Sequence, residues 1–576
     1  MREPSKIPAQ ARGGGEILWA GAFAVLCWFV LFHGLGAPAL MEPDEGRNAE
    51  VAREVLALGD WVTPHYDFIP YLDKPIAFFW LVAGAYRLFG VSELSARLPA
   101  ALAALGSVLL AYHLARTSMG PRAGPWSGLV LLTSPAVMAF SRATIFDMPL
   151  AFFITLALWS FRRGEAARGT RKRLFFLLMW VAMAAATLMK GPIGIVIPGM
   201  VIAFYLLVTR RWSMLGAMEP ALGPAIFLVI AAPWYLWAEA RNPGYLKYFL
   251  FEENFLRYLT PHFNRGQPWH YYALVLAVGF FPWSALIYLP FKGIAAAAKD
   301  DGRLFLLLWA ALPVLFFSFS LAKQPGYILP VFPPLAILTG DAIARALESS
   351  SYRTRLPLMV PWLVLLAAFG YFSLALFLPG LLPAALRESP PEVMLFIRQI
   401  FWPWVPALLV LLLAGAGASL RAMPAPYYFV SCAFFLVFHL FGLGIMGHIS
   451  RTRSSEELAA KALPLVRPED QLVVYNDYRS SLPFYLRVKE PIWMVLPERR
   501  GAVMGSFYMA EKKPRPARGA GEAVLGFDKF AELWDHSPAR LLVFVEEKKL
   551  AQLAGRVGAP PKRLLSVGEV ALVANR

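Results

Sequence analysis

Apolar runs separated by short polar turns fill most of the chain, and they predict membrane-crossing helices. Seven lie near residues 17–36, 95–115, 124–141, 147–161, 173–189, 191–209 and 221–240, and six more near 271–291, 303–320, 326–346, 357–380, 400–420 and 425–447. Most approach the roughly 20 residues that a helix needs to cross a bilayer. PIAFFWLVAGAYRLFG, at 75–90, is apolar but shorter. From residue 449 the pattern changes: QLVVYNDY, ARLLVFVEE and ALVAN alternate as strands do, and KFAELWDH reads as a helix. That predicts a small α/β domain over 449–576 following a helical membrane domain over 1–448. No internal repeat, heptad pattern or low-complexity linker interrupts it.

Positive charge decides the orientation, because short cytoplasmic loops are enriched in Lys and Arg. If 75–90 does not span, the inner loops hold Arg116 and Arg122, the Arg162 to Arg173 cluster, Arg210 and Arg211, then Lys292, Lys299 and Arg303, then Arg353, Arg355 and Arg421. If it did span, all of these would face outward. The short segment is therefore expected as an interfacial or re-entrant helix on the outer side, leaving thirteen spans. The N-terminus, with Arg2, Lys6 and Arg12 before an uncleaved first span, is expected inside, and the C-terminal domain outside. The outer face then receives the loops 37–94 and 241–270 and the turns around Asp147 and Lys323.

Composition agrees: 58% of 576 residues are hydrophobic and 16% charged, which excludes a large soluble core. The net charge of +17 orients spans and meets anionic lipid in so apolar a chain, so no nucleic-acid partner is expected. Cys27 and Cys432 both lie in apolar runs, which argues against a disulfide framework or a cysteine-ligated metal.

The outer face gathers the candidate chemistry. MEPDEGRNAE, at 41–50, starts a helix with Asp44 near its N-cap and Val51, Ala52, Val55, Leu56 and Leu58 along one face. The plainest reading is a capped amphipathic helix lying on the membrane, with Glu45, Glu50 and Glu54 facing water or pairing with Arg47 and Arg53. A second acid, Asp147 in SRATIFDMPL, opens a span, where a carboxylate is costly unless paired or solvated; it too could serve as a cap. YLDKP adds Asp73 and Lys74, the 241–270 loop adds Glu252, Glu253, Arg257, His262, Arg265 and His270, and SLAKQPGYILP adds Lys323 and Tyr327. Carboxylates and cations gathered on one face suit a phosphorylated headgroup and a steered nucleophile, with Lys74, Arg265 and Lys323 as phosphate contacts. His262 and His270 could hold a metal with Asp73 or Glu252, although the spacing matches no metal motif.

EPDEGRNAEVAREVLALGDWVTPHYDFIPYLDKP, GVSELSARLPAAL, SRATIFDMPLAFF, KGPIGIVIP and YILPVFPPLAILTG resemble the bacterial aminoarabinose transferase group. That group belongs to the GT-C type membrane glycosyltransferases that use polyprenyl-phosphate sugars, protein mannosyltransferases included. The resemblance covers residues 17–346 well and weakens beyond. It implies Asp44 as the principal catalytic carboxylate, Asp147 as a second active-site acid, Lys74 as a phosphate contact and Tyr327 near the donor. Where the family commonly has Glu in YLEKP this chain has the shorter Asp73, at the position of a metal ligand.

The resemblance implies transfer of a sugar, 4-amino-4-deoxy-L-arabinose, from undecaprenyl phosphate to a lipid acceptor such as lipid A, on the outer side of the bacterial inner membrane. A protein O-glycosyltransferase with a peptide acceptor, or a lipid-linked sugar transporter, are the alternatives. Against a transporter, the ionisable residues gather at one face rather than at span centres, and no repeat relates the two halves. No cofactor is required; a divalent metal (Zn, Mg or Mn) on Asp73 and His262 stays open.

Overall fold

The computed structural model describes residues 9–260, 266–291, 300–381, 391–498, 504–517 and 522–576. The first half of the chain folds as α1 (Ala9–Leu31), α2 (Asp44–Leu58), α3 (Ala77–Phe89), α4 (Glu93–Ser118), α5 (Ala123–Leu132), α6 (Pro135–Ser141), α7 (Asp147–Ala166), α8 (Gly169–Lys190) and α9 (Ile193–Thr209). Among the described residues eight helices are long and apolar enough to cross a membrane: α4, α8, Leu222–Arg241, Asp301–Phe319, Pro325–Glu348, Tyr352–Phe377, Met394–Leu420 and Pro424–Thr452. A ninth forms if α5 and α6, bent by 63°, are one span. The bend falls where Pro135 has no N–H to give and holds Ser134 extended, at ψ 124°. Thr133 and Ser134 donate their hydroxyls to the carbonyls of Leu129 and Val130, at 2.7 Å each.

Two further apolar runs, at 271–291 and 75–90, do not form long single helices. The run at 271–291 breaks into Tyr271–Gly279 and the 3-10 turns Trp283–Leu286 and Leu289–Phe291, around Pro282 and Pro290. α3 has 13 residues, about 20 Å at 1.5 Å per residue, short of the hydrocarbon thickness. It buries Phe78, Phe79, Val82 and Tyr86 and leaves Leu81, Leu88 and Phe89 exposed.

α7 and α8 form an antiparallel pair, which puts Asp147 and Lys190 at one end and Arg162 and Glu165 at the other. At that other end Glu165 accepts from Tyr205 at 2.8 Å and from Arg211 at 2.5 Å, and Arg211 also pairs with Asp301.

Beyond the last long helix lies a six-stranded sheet of β3 (Gln471–Tyr475), β4 (Trp493–Val495), β5 (Val524–Leu525), β6 (Leu541–Glu546), β7 (Lys562–Val567) and β8 (Val570–Ala574), in the order β5-β4-β3-β6-β8-β7. The first four are parallel and the last two antiparallel. Alternation gives it two apolar faces: Val473, Tyr475, Val543 and Val545 pack with Phe530 and Trp534, while Val474, Leu542 and Phe544 pack with Leu458 and Phe68.

Phe68 comes from the loop between α2 and α3, some 400 residues away in sequence. It sits in the turn of a hairpin, β1 (His65–Tyr66) and β2 (Ile69–Pro70), whose two central residues, Asp67 and Phe68, both have positive φ, at 53° and 59°. A primed turn requires that geometry, and tertiary bonds hold these non-glycine residues in it. Glu54 accepts from the Phe68 N–H at 2.8 Å, Asp67 from Ile492 N–H at 2.8 Å, and the Phe68 carbonyl from Ala517 N–H at 2.6 Å.

Candidate active site

α2 carries the opening motif, and both of its faces are covered. It packs on α3 on one side and meets the C-terminal domain on the other. Glu42 accepts from the hydroxyls of Ser455 and Ser481 at 2.6 and 2.7 Å, and Arg53 donates to the Val488 carbonyl at 3.0 Å. The expected water-facing acids are therefore buried: Glu45, Glu50 and Glu54 are 4%, 0% and 0% exposed. Glu45 accepts from Arg97 at 2.9 and 3.0 Å, from Thr144 N–H at 2.9 Å and from Met41 N–H at 3.1 Å. Glu50 takes both oxygens to Arg53, the pairing the sequence suggested. Burial pushes Glu54 well above the usual carboxylate range, with Glu50 and Asp67 adding to the effect.

Asp44 is the acid of this motif most open to solvent, with a side chain 57% exposed. It is the first helical residue, directly after Pro43 at the cap position, which places it near the N-cap as expected. Asp44 pairs with Arg47 one turn on, whose guanidinium lies 5.6 Å from the Tyr71 ring. Asn48 donates to the Thr144 carbonyl at 2.9 Å, so Glu45 and Asn48 together tie α2 to the segment that ends in Asp147.

Asp147 opens α7 without acting as a cap, and accepts from Lys190 at 2.5 Å. The Lys190 ammonium stands 5.0 Å from the Phe146 ring and 4.8 Å from the Tyr327 ring. Gly326 lets the Tyr327 turn approach: an added Cβ would come within 2.5 Å of the Asp147 carboxylate.

Lys74 lies 5.9 Å from the same Phe146 ring, which places it in one neighbourhood with Lys190. It pairs with Glu253 and donates to the Asp73 carbonyl at 2.8 Å; Glu253 pairs in turn with Arg257, four residues on. Glu253 stands on a π-helical stretch, Tyr248–Leu256, a rare geometry that is frequent at functional sites. Burial lowers the Lys74 pKa, opposed by Glu253, and raises that of Asp73, with Glu253 adding to it. Asp73 accepts from the Tyr248 hydroxyl and, at 3.1 Å, from the Tyr508 N–H of the C-terminal domain.

Six cation and carboxylate side chains of this cluster were thus named by the sequence or the resemblance with a role (Asp44, Asp147, Asp73, Lys74) or a place in a loop (Glu253, Arg257), and Tyr327 joins them. Lys323 is buried and donates to the carbonyls of Gln267 at 3.0 Å and Ser320 at 2.5 Å. Arg265 and His262 lie outside the described residues. His270 is exposed, and among the described residues no three His, Cys, Asp or Glu side chains converge as a metal site would require. One Asp73 oxygen takes the hydroxyl and the amide, and the other is buried without a hydrogen-bond partner among the described residues.

The sequence profile of the family described as dolichyl-phosphate-mannose-protein mannosyltransferase matches residues 73–237. An undecaprenyl phosphate-alpha-4-amino-4-deoxy-L-arabinose arabinosyl transferase of Pseudomonas fluorescens is 31% identical over 418 residues, 70% of this chain and 72% of that protein. The chain belongs to this arabinosyl transferase family.

A family member from Edwardsiella ictaluri is 33% identical over 62% of this chain and 65% of its own length; the chain spans 60 to 65% of several such curated relatives. The likeness in three dimensions is more extensive. The crystal structure of ArnT from Cupriavidus metallidurans bound to undecaprenyl phosphate matches with a TM-score of 0.83 and 29% identity, over 97% of this chain and 98% of that one. The same protein in the apo state gives 0.82 and 28%. Both matches include the C-terminal sheet as well as the helices.

The sequence left Lys190 and Arg97 without a role, gave Arg257 only a place in the outer loop, and offered Arg47 to Glu45, Glu50 or Glu54, whereas Arg47 pairs with Asp44. Lys190 had a signal, since it ends an apolar run just before the quoted Gly-Pro. Arg257 had its place among the charges of the 241–270 loop and its i, i+4 spacing from Glu253, which an ordinary helix surface also shows.

Proposed function

We propose that this protein transfers 4-amino-4-deoxy-L-arabinose from undecaprenyl phosphate to a phosphate of lipid A. The observation that carries the reading is the arrangement at one end of the bundle: cations, Lys74, Lys190 and Arg257, converge around Phe146 and Glu253, and an exposed carboxylate, Asp44, stands on the helix that Glu45 and Asn48 tie to the segment before Asp147. The likeness to a protein solved with undecaprenyl phosphate, over nearly the whole of both chains, supports it.

In the reaction an acceptor oxygen attacks the anomeric carbon, the bond from that carbon to the phosphate oxygen breaks, and the phosphate leaves with the electron pair. A single displacement inverts the anomeric centre. Negative charge grows on the departing phosphate, where Lys74, Arg257 and Lys190 stabilise it; positive charge grows on the sugar, where Asp44 and Asp147 do so. A phosphate acceptor is already anionic near neutral pH, so Asp44 orients it; a hydroxyl acceptor would need Asp44 as general base.

The Lys and Arg bias supports thirteen spans, with the N-terminus in the cytoplasm and the site and C-terminal domain in the periplasm of a bacterial inner membrane. Cations and acids group at the ends of the helices rather than at span centres, which argues against a charged path through the membrane. The test is transfer from undecaprenyl-phosphate aminoarabinose to lipid A, read by mass spectrometry. The wild type should add one pentosamine and Asp44→Asn should lose at least a hundredfold in kcat. A well-folded wild type that transfers nothing would overturn the substrate assignment.

A further inference from the structure

Glu253 is a buried carboxylate that shares one oxygen, Oε1, between two cations, Lys74 and Arg257. The Asp147 and Lys190 pair beside it is different, one acid to one base. Positioning alone would need no second charge on Glu253, since Lys74 is already anchored on the Asp73 carbonyl at 2.8 Å. A carboxylate set against two phosphate-binding cations reduces their joint charge by one unit, and that has a consequence for turnover.

Under the function proposed above, donor and product differ in charge. The donor is a phosphodiester with one negative charge. Cleavage of the sugar bond leaves its electron pair on the phosphate, and the phosphomonoester product carries about −1.5 to −2 near pH 7. Cations that stabilise the departing phosphate would also retain the product. We propose that Glu253 is a specificity-determining residue that sets the charge of the phosphate pocket, so that the pocket holds the monoanionic donor and releases the dianionic product.

The magnitude follows from the linearity of Coulomb's law in ligand charge. Removing one negative charge from the pocket stabilises a dianion about twice as much as a monoanion at the same place. If Glu253→Gln tightens a dianion tenfold, it should tighten a monoanion about threefold. The Gln side chain keeps the shape and an acceptor for Lys74 and Arg257, so the change is chiefly one of charge.

The inference rests on the polyprenyl-phosphate reading of the site, and the experiment separates the two. Purified full-length wild type, Glu253→Gln and Glu253→Ala are titrated with undecaprenyl phosphate and with its methyl ester, a monoanion of the same lipid. The expected result is that either variant, whichever is well folded, binds the phosphate more tightly relative to the methyl ester than the wild type does. In turnover, product inhibition by undecaprenyl phosphate should deepen more than the KM for donor falls. An unchanged ratio of the two Kd values, or equal weakening of both ligands as a scaffolding role predicts, would overturn the inference and leave the function standing. A wild type that binds neither lipid would overturn both.

Discussion

Arg97 is nearly inaccessible and makes five hydrogen bonds: two to Glu45, and one each to the carbonyls of Leu35 at 3.1 Å, Pro38 at 2.6 Å and Ala39 at 2.9 Å. It joins α4 to the turn before Asp44 and, through Glu45 and Thr144, to the turn before Asp147. Arg97→Met keeps an apolar stem of similar length but leaves Glu45 charged and buried with two backbone N–H groups. Removing one partner of a buried pair costs about 3–5 kcal/mol. Glu45→Gln should cost less, since its amide oxygen can still accept from Arg97 and Thr144. The double variant should be more stable than the sum of the singles predicts, by about 1–3 kcal/mol, because no buried charge is then left alone. Reversible SDS unfolding in mixed micelles measures the stabilities, and the transfer assay measures kcat. Both singles should also slow transfer, because each loosens the backbone next to Asp44. An Arg97→Met variant within about 0.5 kcal/mol of wild type, or singles that add, would refute the reasoning.

Two further predictions concern the contact between α2 and the C-terminal domain. Burial raises the carboxyl pKa of Glu54 and Asp67 well above the usual range, so the folded protein binds more protons than the unfolded one. Stability should be fully present below the unfolded value, about 4, and fall as pH rises toward the folded values; limited proteolysis between pH 5 and 8 should show easier cleavage at the upper end, and Glu54→Gln should flatten the trend. A wild type equally resistant across that range would contradict the assignment. Gly46 meets the C-terminal domain so closely that an added Cβ would lie 2.6 Å from the backbone of Ser481. Gly46→Ala should therefore cost about 1–3 kcal/mol and reduce transfer together with stability, and a thermal midpoint equal to the wild type's would exclude that contact.

The sequence by itself determined what depends on local composition and period. Apolar runs marked the helices because a bilayer demands length and hydropathy from each one separately. Strand-like alternation at 471–475, 541–546 and 570–574 marked β3, β6 and β8, while the short strands β4 and β5 carry too few residues for a period of two to register. Asp44, Lys74 and Asp147 stood out through motifs that are contiguous in the chain.

Tertiary structure decided everything that depends on a distant partner. The acids of α2 look like a water-facing surface, because a pattern of charges cannot show that a domain lying more than 400 residues away covers it. Asp73 finds Tyr508, Lys74 finds Glu253, and Lys190 finds Asp147, across 435, 179 and 43 residues. Which charges are buried, and which remain open to a substrate, follows from those pairings: desolvation makes an ion choose a partner, and only the fold determines which one is within reach.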